Sequence, residues 1–219
     1  MSHDRLTPES PSRVSDQAYD AIRDAIVQLK LWPGSAWDEK SIAQEMGMGR
    51  TPVREALLRL AMEGLVTILP RRGLLIPAIG FPEIQAVYEA RTPIECGIAR
   101  LAAVRVDQHD LNAIAELIEE AEIIDPEGAF ERYVSMDQMI HRRLAAMSHN
   151  PFLIDAAGRI LDHNERFWRY YFQEHAGADA IVSHKALLSA LKAHDADAAD
   201  LAMREHVDAS RTLLHATFR

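Results

Sequence analysis

Beyond Ile79-Gly80-Phe81-Pro82 the apolar residues of this chain recur only at spacings of three and four, to the end of the sequence. That spacing belongs to amphipathic α-helices and leaves no room for a sheet. Breaks at Val106-Asp107, Asp125-Pro126, Asn150-Pro151, Ala176-Gly177 and His194-Asp195 divide the stretch. Six helices are predicted, at about 82–104, 107–123, 127–148, 151–172, 178–194 and 196–216. Each has one apolar stripe to bury, so they must form a bundle.

The residues before this stretch follow another plan. A tail over 1–12, rich in Ser, Pro and charge, is expected to be mobile. Val14 to Lys30 has helical spacing and ends at Leu31-Trp32-Pro33-Gly34-Ser35. Asp38 can cap a short helix to about Met46, and Gly47-Met48-Gly49 turns the chain into a helix over 51–63, with Pro52 in its first turn and Gly64 as its stop. The period then changes. Leu65 to Leu69 and Leu74 to Ile76 are short β-prone runs joined by Pro70-Arg71-Arg72-Gly73. Three helices followed by a hairpin with a basic tip predict a winged helix-turn-helix. The expected fold is therefore mainly α, with the winged domain at 13–79 and the all-α bundle at 80–219.

Composition narrows the functional classes. A single cysteine among 219 residues, 48% of them apolar and 26% charged, suits a reduced, cytoplasmic protein. The opening residues lack the apolar core of a signal peptide, and no apolar run reaches eighteen residues, so no membrane role is expected. The net charge of −9 is unevenly placed: residues 1–79 hold ten basic and ten acidic side chains, and residues 80–219 hold fourteen and twenty-three. The first domain can therefore still face an anionic polymer.

On the helix 51–63, Val53, Leu57 and Leu60 form an inward stripe while Thr51, Arg54 and Leu58 face outward. Arg50 and Arg54 stand at its N-terminus, where guanidinium groups can bind guanine edges in a major groove. Thr51 and the first-turn N–H groups can hold a phosphate. Arg71 and Arg72, on a tip bent by Gly73, are placed for the DNA backbone or minor groove.

In the helical half, Asp137 and His141 share a helix face beside Tyr133, Met136, Ile140 and Leu144. His184 shares a face with Leu187, Leu188 and Leu191, and His206 with Met203 and Leu213. Three imidazoles and a carboxylate thus face inward from three helices, a donor set suited to Zn, Ni, Mn or Fe. His163, on the face of Ile160, Phe167 and Tyr170, is by pattern as good a candidate, and spacing does not choose among them.

The stretch Arg50 to Val66, RTPVREALLRLAMEGLV, with the Arg71-Arg72-Gly73 tip, resembles the GntR family of bacterial transcriptional regulators. The pattern of Asp137, His141, His184 and the Ala198 to His206 stretch is similar to the FCD domain of its FadR-like branch. The first resemblance implies DNA contacts from Lys40, Arg50, Thr51, Arg54 and the wing around Gly73. The second implies a divalent metal on Asp137, His141, His184 and His206, in a pocket that also takes a small carboxylate effector. Arg91 is then the best partner for that carboxylate, since a guanidinium matches it in bidentate fashion; a salt bridge to Glu95 or Glu89 is its other reading. Tyr170 and Trp168 are candidates to line the pocket.

These readings add up to a cytoplasmic transcriptional regulator, a repressor or an activator, rather than an enzyme. One short helix and one wing make too few base contacts alone, so a homodimer on a pseudo-palindromic double-stranded operator is expected. A metal-dependent enzyme using a His3Asp centre is the alternative, as is a regulator in which the metal only clamps the fold. The chain has no H-E-x-x-H, G-x-S-x-G or P-loop to favour catalysis.

Overall fold

The computed structural model describes residues 13–124, 126–172 and 184–218. The chain forms two compact units, Met1–Ala78 and Ile79–Arg219.

The first unit holds α1 (Val14–Val27), β1 (Ala36–Trp37), α2 (Glu39–Glu45), α3 (Arg50–Met62), β2 (Thr67–Leu69) and β3 (Gly73–Leu75). Its core joins Ile22 and Ile26 of α1, Ile42 of α2, and Val53, Leu57 and Leu60 of α3 to Leu74 and Ile76. Helix α1 ends three residues earlier than its spacing predicts. Leu29 turns left-handed at φ 59°, and the Leu31 amide returns to the Ala25 carbonyl at 3.0 Å, which closes the helix. Asp38 caps α2, accepting from the Ser41 amide at 2.8 Å. The sheet has three strands rather than a hairpin alone, in the order β1-β3-β2 and antiparallel throughout. Strand β1, two residues long, is too short to show a period. Leu65 and Val66, expected in the strand, are instead buried links between α3 and β2.

The second unit is a bundle of α4 (Phe81–Arg105), α5 (Gln108–Glu122), α6 (Pro126–Met147), α7 (Pro151–Phe172), α8 (Lys185–Lys192) and α9 (Ala196–Ala216). Helix α4 lies at its centre and packs against α6, α7, α8 and α9. Tyr88, Ile140, Leu144, Phe167, Leu191 and Val207 belong to one continuous core. Asp107 caps α5, and Asp195 caps α9 by accepting from the Asp197 and Ala198 amides. The helix expected over 178–194 is corrected in part: among the described residues it runs from Lys185 to Lys192, and 178–183 lie outside them. His184 is therefore not within a helix. It stands just before α8 with φ −102° and ψ 9°.

Candidate nucleic-acid interface and metal centre

In the first unit, α3 is held by its inward residues Val53, Ala56, Leu57 and Leu60, which turns the opposite face outward. Arg59 pins the far end of α3 to α1, reaching Asp16 at 2.7 Å and lying 4.0 Å over the Tyr19 ring, while the Tyr19 hydroxyl donates to Glu63. Arg50, Thr51 and Arg54 are exposed at the N-terminal end, as are Lys40 on α2 and Arg71 and Arg72 at the tip. Gly49 caps α3 without a side-chain bond, so the first-turn N–H groups stay available to an anion. A cleft between α2, α3 and the hairpin is lined by Lys40, Arg50, Arg54, Leu58, Ile68 and Arg71. Two acidic residues, Asp38 and Glu39, also line it, and Glu39 lies 3.9 Å from Nε of Arg54.

Gly73 acts through its backbone. Its φ is +94°, and a Cβ there would collide with the Trp37 carbonyl oxygen. Only glycine lets β3 approach β1 this closely.

In the second unit Asp137, His141, His184 and His206 converge, with one donor atom from each within 4.8 Å of every other. The Nε2 of His141 lies 3.1 Å from that of His206 and 3.4 Å from that of His184. Oδ1 of Asp137 lies 3.6, 3.7 and 3.9 Å from the Nε2 atoms of His184, His141 and His206. An ion with bonds of about 2.1 Å holds neighbouring donors roughly 3.0 to 3.4 Å apart. The two imidazole pairs that include His141 already meet that spacing, and the carboxylate is a few tenths of an ångström wide of it. The donor set thus fits a divalent first-row cation. His163 does not join it: Nδ1 of His163 faces Glu83 at 3.3 Å.

The groups around the four donors fix their orientation. Glu95 on α4, at 3% exposure, places Oε2 3.1 Å from Nδ1 of His141. The same oxygen lies 3.2 Å from Nε of Arg91. These are ion-pair contacts whose angles fall short of hydrogen-bond geometry. Gln138 donates to the free Oδ2 of Asp137 at 3.3 Å. Arg91 is wholly buried, and its Nη2 reaches Nε2 of His141 at 3.1 Å. Its Nη1 lies 3.4 Å from Oγ of Ser210 and 3.5 Å from the Tyr88 hydroxyl. Tyr88 and Ser210 share a 2.6 Å hydrogen bond, and the Trp168 indole N–H donates to Tyr88 at 3.3 Å.

Of the two sequence readings of Arg91, the salt bridge to Glu95 is formed, and the same guanidinium also reaches the donor cluster. A cavity of about 10 Å³ beside the donors is lined by Tyr133, Val134, Asp137, Trp168, His206 and Ser210. That is room for roughly one water. Trp168 lines it, whereas Tyr170 does not; Tyr170 packs edge-on against Tyr171 at 5.0 Å. Glu95, Tyr88 and Ser210 have no spacing signal that marks them, because they matter only through the helices that α4 touches.

Charge in the cluster is tightly shared. Burial pushes His184 down to about 4 and holds His206 well below the usual imidazole range, so both rings are neutral. Burial acts the same way on His141, but Glu95 and Asp137 outweigh it and lift that ring to about 9. For Asp137 burial works upward, and the three imidazoles overcome it to hold the carboxyl well below its ordinary range. Glu95, against the same pressure of burial, is drawn down to about 2 by Arg91 and His141. A divalent cation needs all three imidazoles neutral, so it would replace the single proton that His141 attracts.

Comparison with known proteins gives the family. Residues 14–76 match the bacterial regulatory proteins of the gntR family, and residues 86–209 match the FCD domain. The HTH-type transcriptional repressor RspR of Escherichia coli is 27% identical over 205 residues, covering 93% of this chain and 89% of that protein. The HTH-type transcriptional regulator McbR of Escherichia coli is 26% identical over 168 residues, 75% of this chain and 76% of that one. The solved structure of E. coli McbR/YncC superposes with a TM-score of 0.84 at 22% identity, over 95% of this chain and all of the other, which shows the shared fold. Among the described residues no helix is long and apolar enough to cross a membrane. A winged helix-turn-helix with an exposed basic reading face, in one chain with a helical FCD domain, makes this protein a member of the GntR family of bacterial transcriptional regulators.

Proposed function

We propose that the protein works as a homodimeric repressor whose grip on a pseudo-palindromic operator is controlled by a divalent ion and a small carboxylate in the FCD domain. The convergence of Asp137, His141, His184 and His206 beside the buried guanidinium of Arg91 carries this reading. A cation on those four donors, chosen from Zn, Ni, Mn or Fe, supplies positive charge and open coordination positions for an anion. Arg91 supplies the second, bidentate contact that a carboxylate needs. Ser210 and Tyr88 are hydroxyl partners at hand.

On the DNA side, Arg54 and Arg50 read base edges from the start of α3. Thr51, Lys40, Arg71 and Arg72 hold phosphates, and Gly73 lets the wing bend. Two copies on related half-sites supply the specificity that one helix lacks. Acid bound in the FCD domain lowers operator affinity by favouring a second arrangement of the dimer.

The test is a fluorescence-anisotropy titration of the promoter region next to the gene, with the purified, metal-loaded protein and a panel of small mono- and dicarboxylates. At least one acid should weaken binding tenfold or more, and Asp137→Asn should abolish that response while leaving acid-free binding in place. An acid response that survives in Asp137→Asn would remove the metal from the reading. Equal affinity for every duplex at low and physiological salt would remove the operator.

A further inference from the structure

We infer that the outward face of α5 and α6 is where a second copy of this chain docks, each copy laying its α5 over the α6 of the other about a twofold axis that runs along the groove between them. This inference rests on the proposed homodimer and gives it a surface.

The face begins as a helix stripe. On α6, Met139, Arg142 and Ala146 follow one another at three and four residues, which puts them on one side of the helix, roughly opposite Asp137 and His141. Met139 is 50% exposed and Ala146 is exposed as well, although Ile140 and Leu144 of the same helix lie in the core. On α5, Ala113, Glu116, Leu117 and Glu120 make the matching stripe. The two helices run antiparallel, since Arg143 bonds to Asp110 at one end and Arg132 to Glu120 at the other. A groove opens between them, with Ala113, Leu117, Met139 and Ala146 as its apolar lining.

Charge selects the occupant. Glu116 and Glu120 stand on the α5 wall of the groove, and Arg142 and Arg143 on the α6 wall. Opposite signs on opposite walls are what a twofold contact needs, because the rotation sets each wall against the other. The two glutamates of one copy then meet the arginine-bearing helix of the other, Leu117 meets Met139, and each contact occurs twice. Internal pairing leaves capacity for this. Arg142 and Arg143 each spend Nη2 on Asp162 and Asp110, both at 2.6 Å, and Glu116 is exposed without an ion pair among the described residues. The outer side of α4 and α9 also exposes apolar residues, Val104 and Leu201. There Asp197, Asp200, Glu205 and Asp208 outnumber Arg100 and Arg204, which are already paired with Asp197 and Asp200. Two such acidic faces would repel each other.

Helix α6 ties this contact to the donor cluster. It offers Met139 and Arg142 to the partner and holds Asp137 and His141 on its other side, so a movement of α6 at the donors reaches the second copy directly. The second dimer arrangement proposed for operator release would start at this helix.

Sedimentation velocity of the full-length protein tests the face. The wild type should run as a dimer at micromolar concentration. Met139→Glu and Glu116→Arg, both changes of exposed side chains, should raise the dimer dissociation constant at least about a hundredfold, since each sets like charges across the contact twice. Leu201→Glu, on the α9 surface, should leave it unchanged. Dimers that persist in Met139→Glu and Glu116→Arg overturn the face and leave the homodimer standing. A wild type that stays monomeric overturns the homodimer, and the face with it. Cross-linking supplies a second measurement on the folded dimer: Leu117→Cys and Met139→Cys are mixed, allowed to exchange subunits and oxidised, with the buried Cys96 left in place. A disulfide-linked dimer should form in the mixture and far less in either variant alone. No link in the mixture, or equal linking in the single variants, overturns the pairing of α5 with α6.

Discussion

Oε2 of Glu95 stands 3.1 Å from Nδ1 of His141, while Nε2 of the same ring faces the other three donors. A carboxylate on the far nitrogen fixes the tautomer that leaves Nε2 free, and it raises the basicity of the ring as a ligand. Glu95→Gln keeps the shape and removes the charge, so zinc affinity should fall by about 10- to 100-fold in a chelator competition. An unchanged affinity would reduce Glu95 to the counter-ion of Arg91.

Arg54 and Arg71 should fail differently. Arg54 is 71% exposed at the start of α3, where the loss of a base contact costs about 1–3 kcal/mol. Arg54→Ala should lower operator affinity by that amount and blur its preference over a scrambled duplex. Arg71→Ala should weaken both duplexes alike and flatten the salt dependence by about one unit of slope. Anisotropy at several salt concentrations separates the two, and a selective loss in Arg71→Ala would reverse the roles.

The architecture was open to reading because each helix of the bundle advertises its buried face in its own spacing, as Ile140 and Leu144 do on α6. The same spacing placed Asp137 and His141 on one face, since four residues make one turn. It could not separate His206 from His163. That depends on which helix lies opposite, and His163 meets Glu83 where His206 meets His141. Glu95 was visible only as a neighbour of Arg91 one turn away, because its contact with His141 crosses from α4 to α6. Strand β1 was missed for a simpler reason: Ala36 and Trp37 form a strand only by pairing with Leu75 and Leu74.

Cys96 should be inert in the folded protein. It is 2% exposed, its thiol donates to the Asp200 carbonyl at 3.6 Å, and burial pushes it up to about 11. At pH 8 the thiolate fraction then lies about a hundredfold below that of an ordinary cysteine, before access is counted. An aromatic disulfide reagent should react within seconds in denaturant and over hours without it. Prompt reaction in the native protein would show that α4 and α9 separate readily.

His149 carries backbone strain that glycine would relieve. It sits exposed between α6 and α7 with φ +45°, a left-handed conformation that costs a residue with a Cβ about 1 kcal/mol or more. The greater freedom of glycine in the unfolded chain takes back part of the gain. His149→Gly should stabilise the second unit by about 0.5–1 kcal/mol, read as a rise of a few degrees in Tm. A lower Tm would mean that the imidazole makes a stabilising contact.

The wing offers the opposite case, a glycine that cannot be replaced. Gly73 combines φ +94° with the Trp37 carbonyl in the place its Cβ would occupy, so Gly73→Ala must pull β3 from β1 or bend the tip. The left-handed conformation alone costs alanine about 1–2 kcal/mol, and the collision adds to it. The chain has three tryptophans, and in a Trp168→Phe background only Trp32 and Trp37 of the first unit remain to report. Urea unfolding followed by their fluorescence should shift to a clearly lower midpoint in Gly73→Ala. Operator affinity should fall tenfold or more, since Arg71 and Arg72 ride on the displaced tip, while zinc binding by the second unit stays the same. An unshifted midpoint with full operator affinity would mean that the tip can move aside freely, and that its bend has no part in holding DNA.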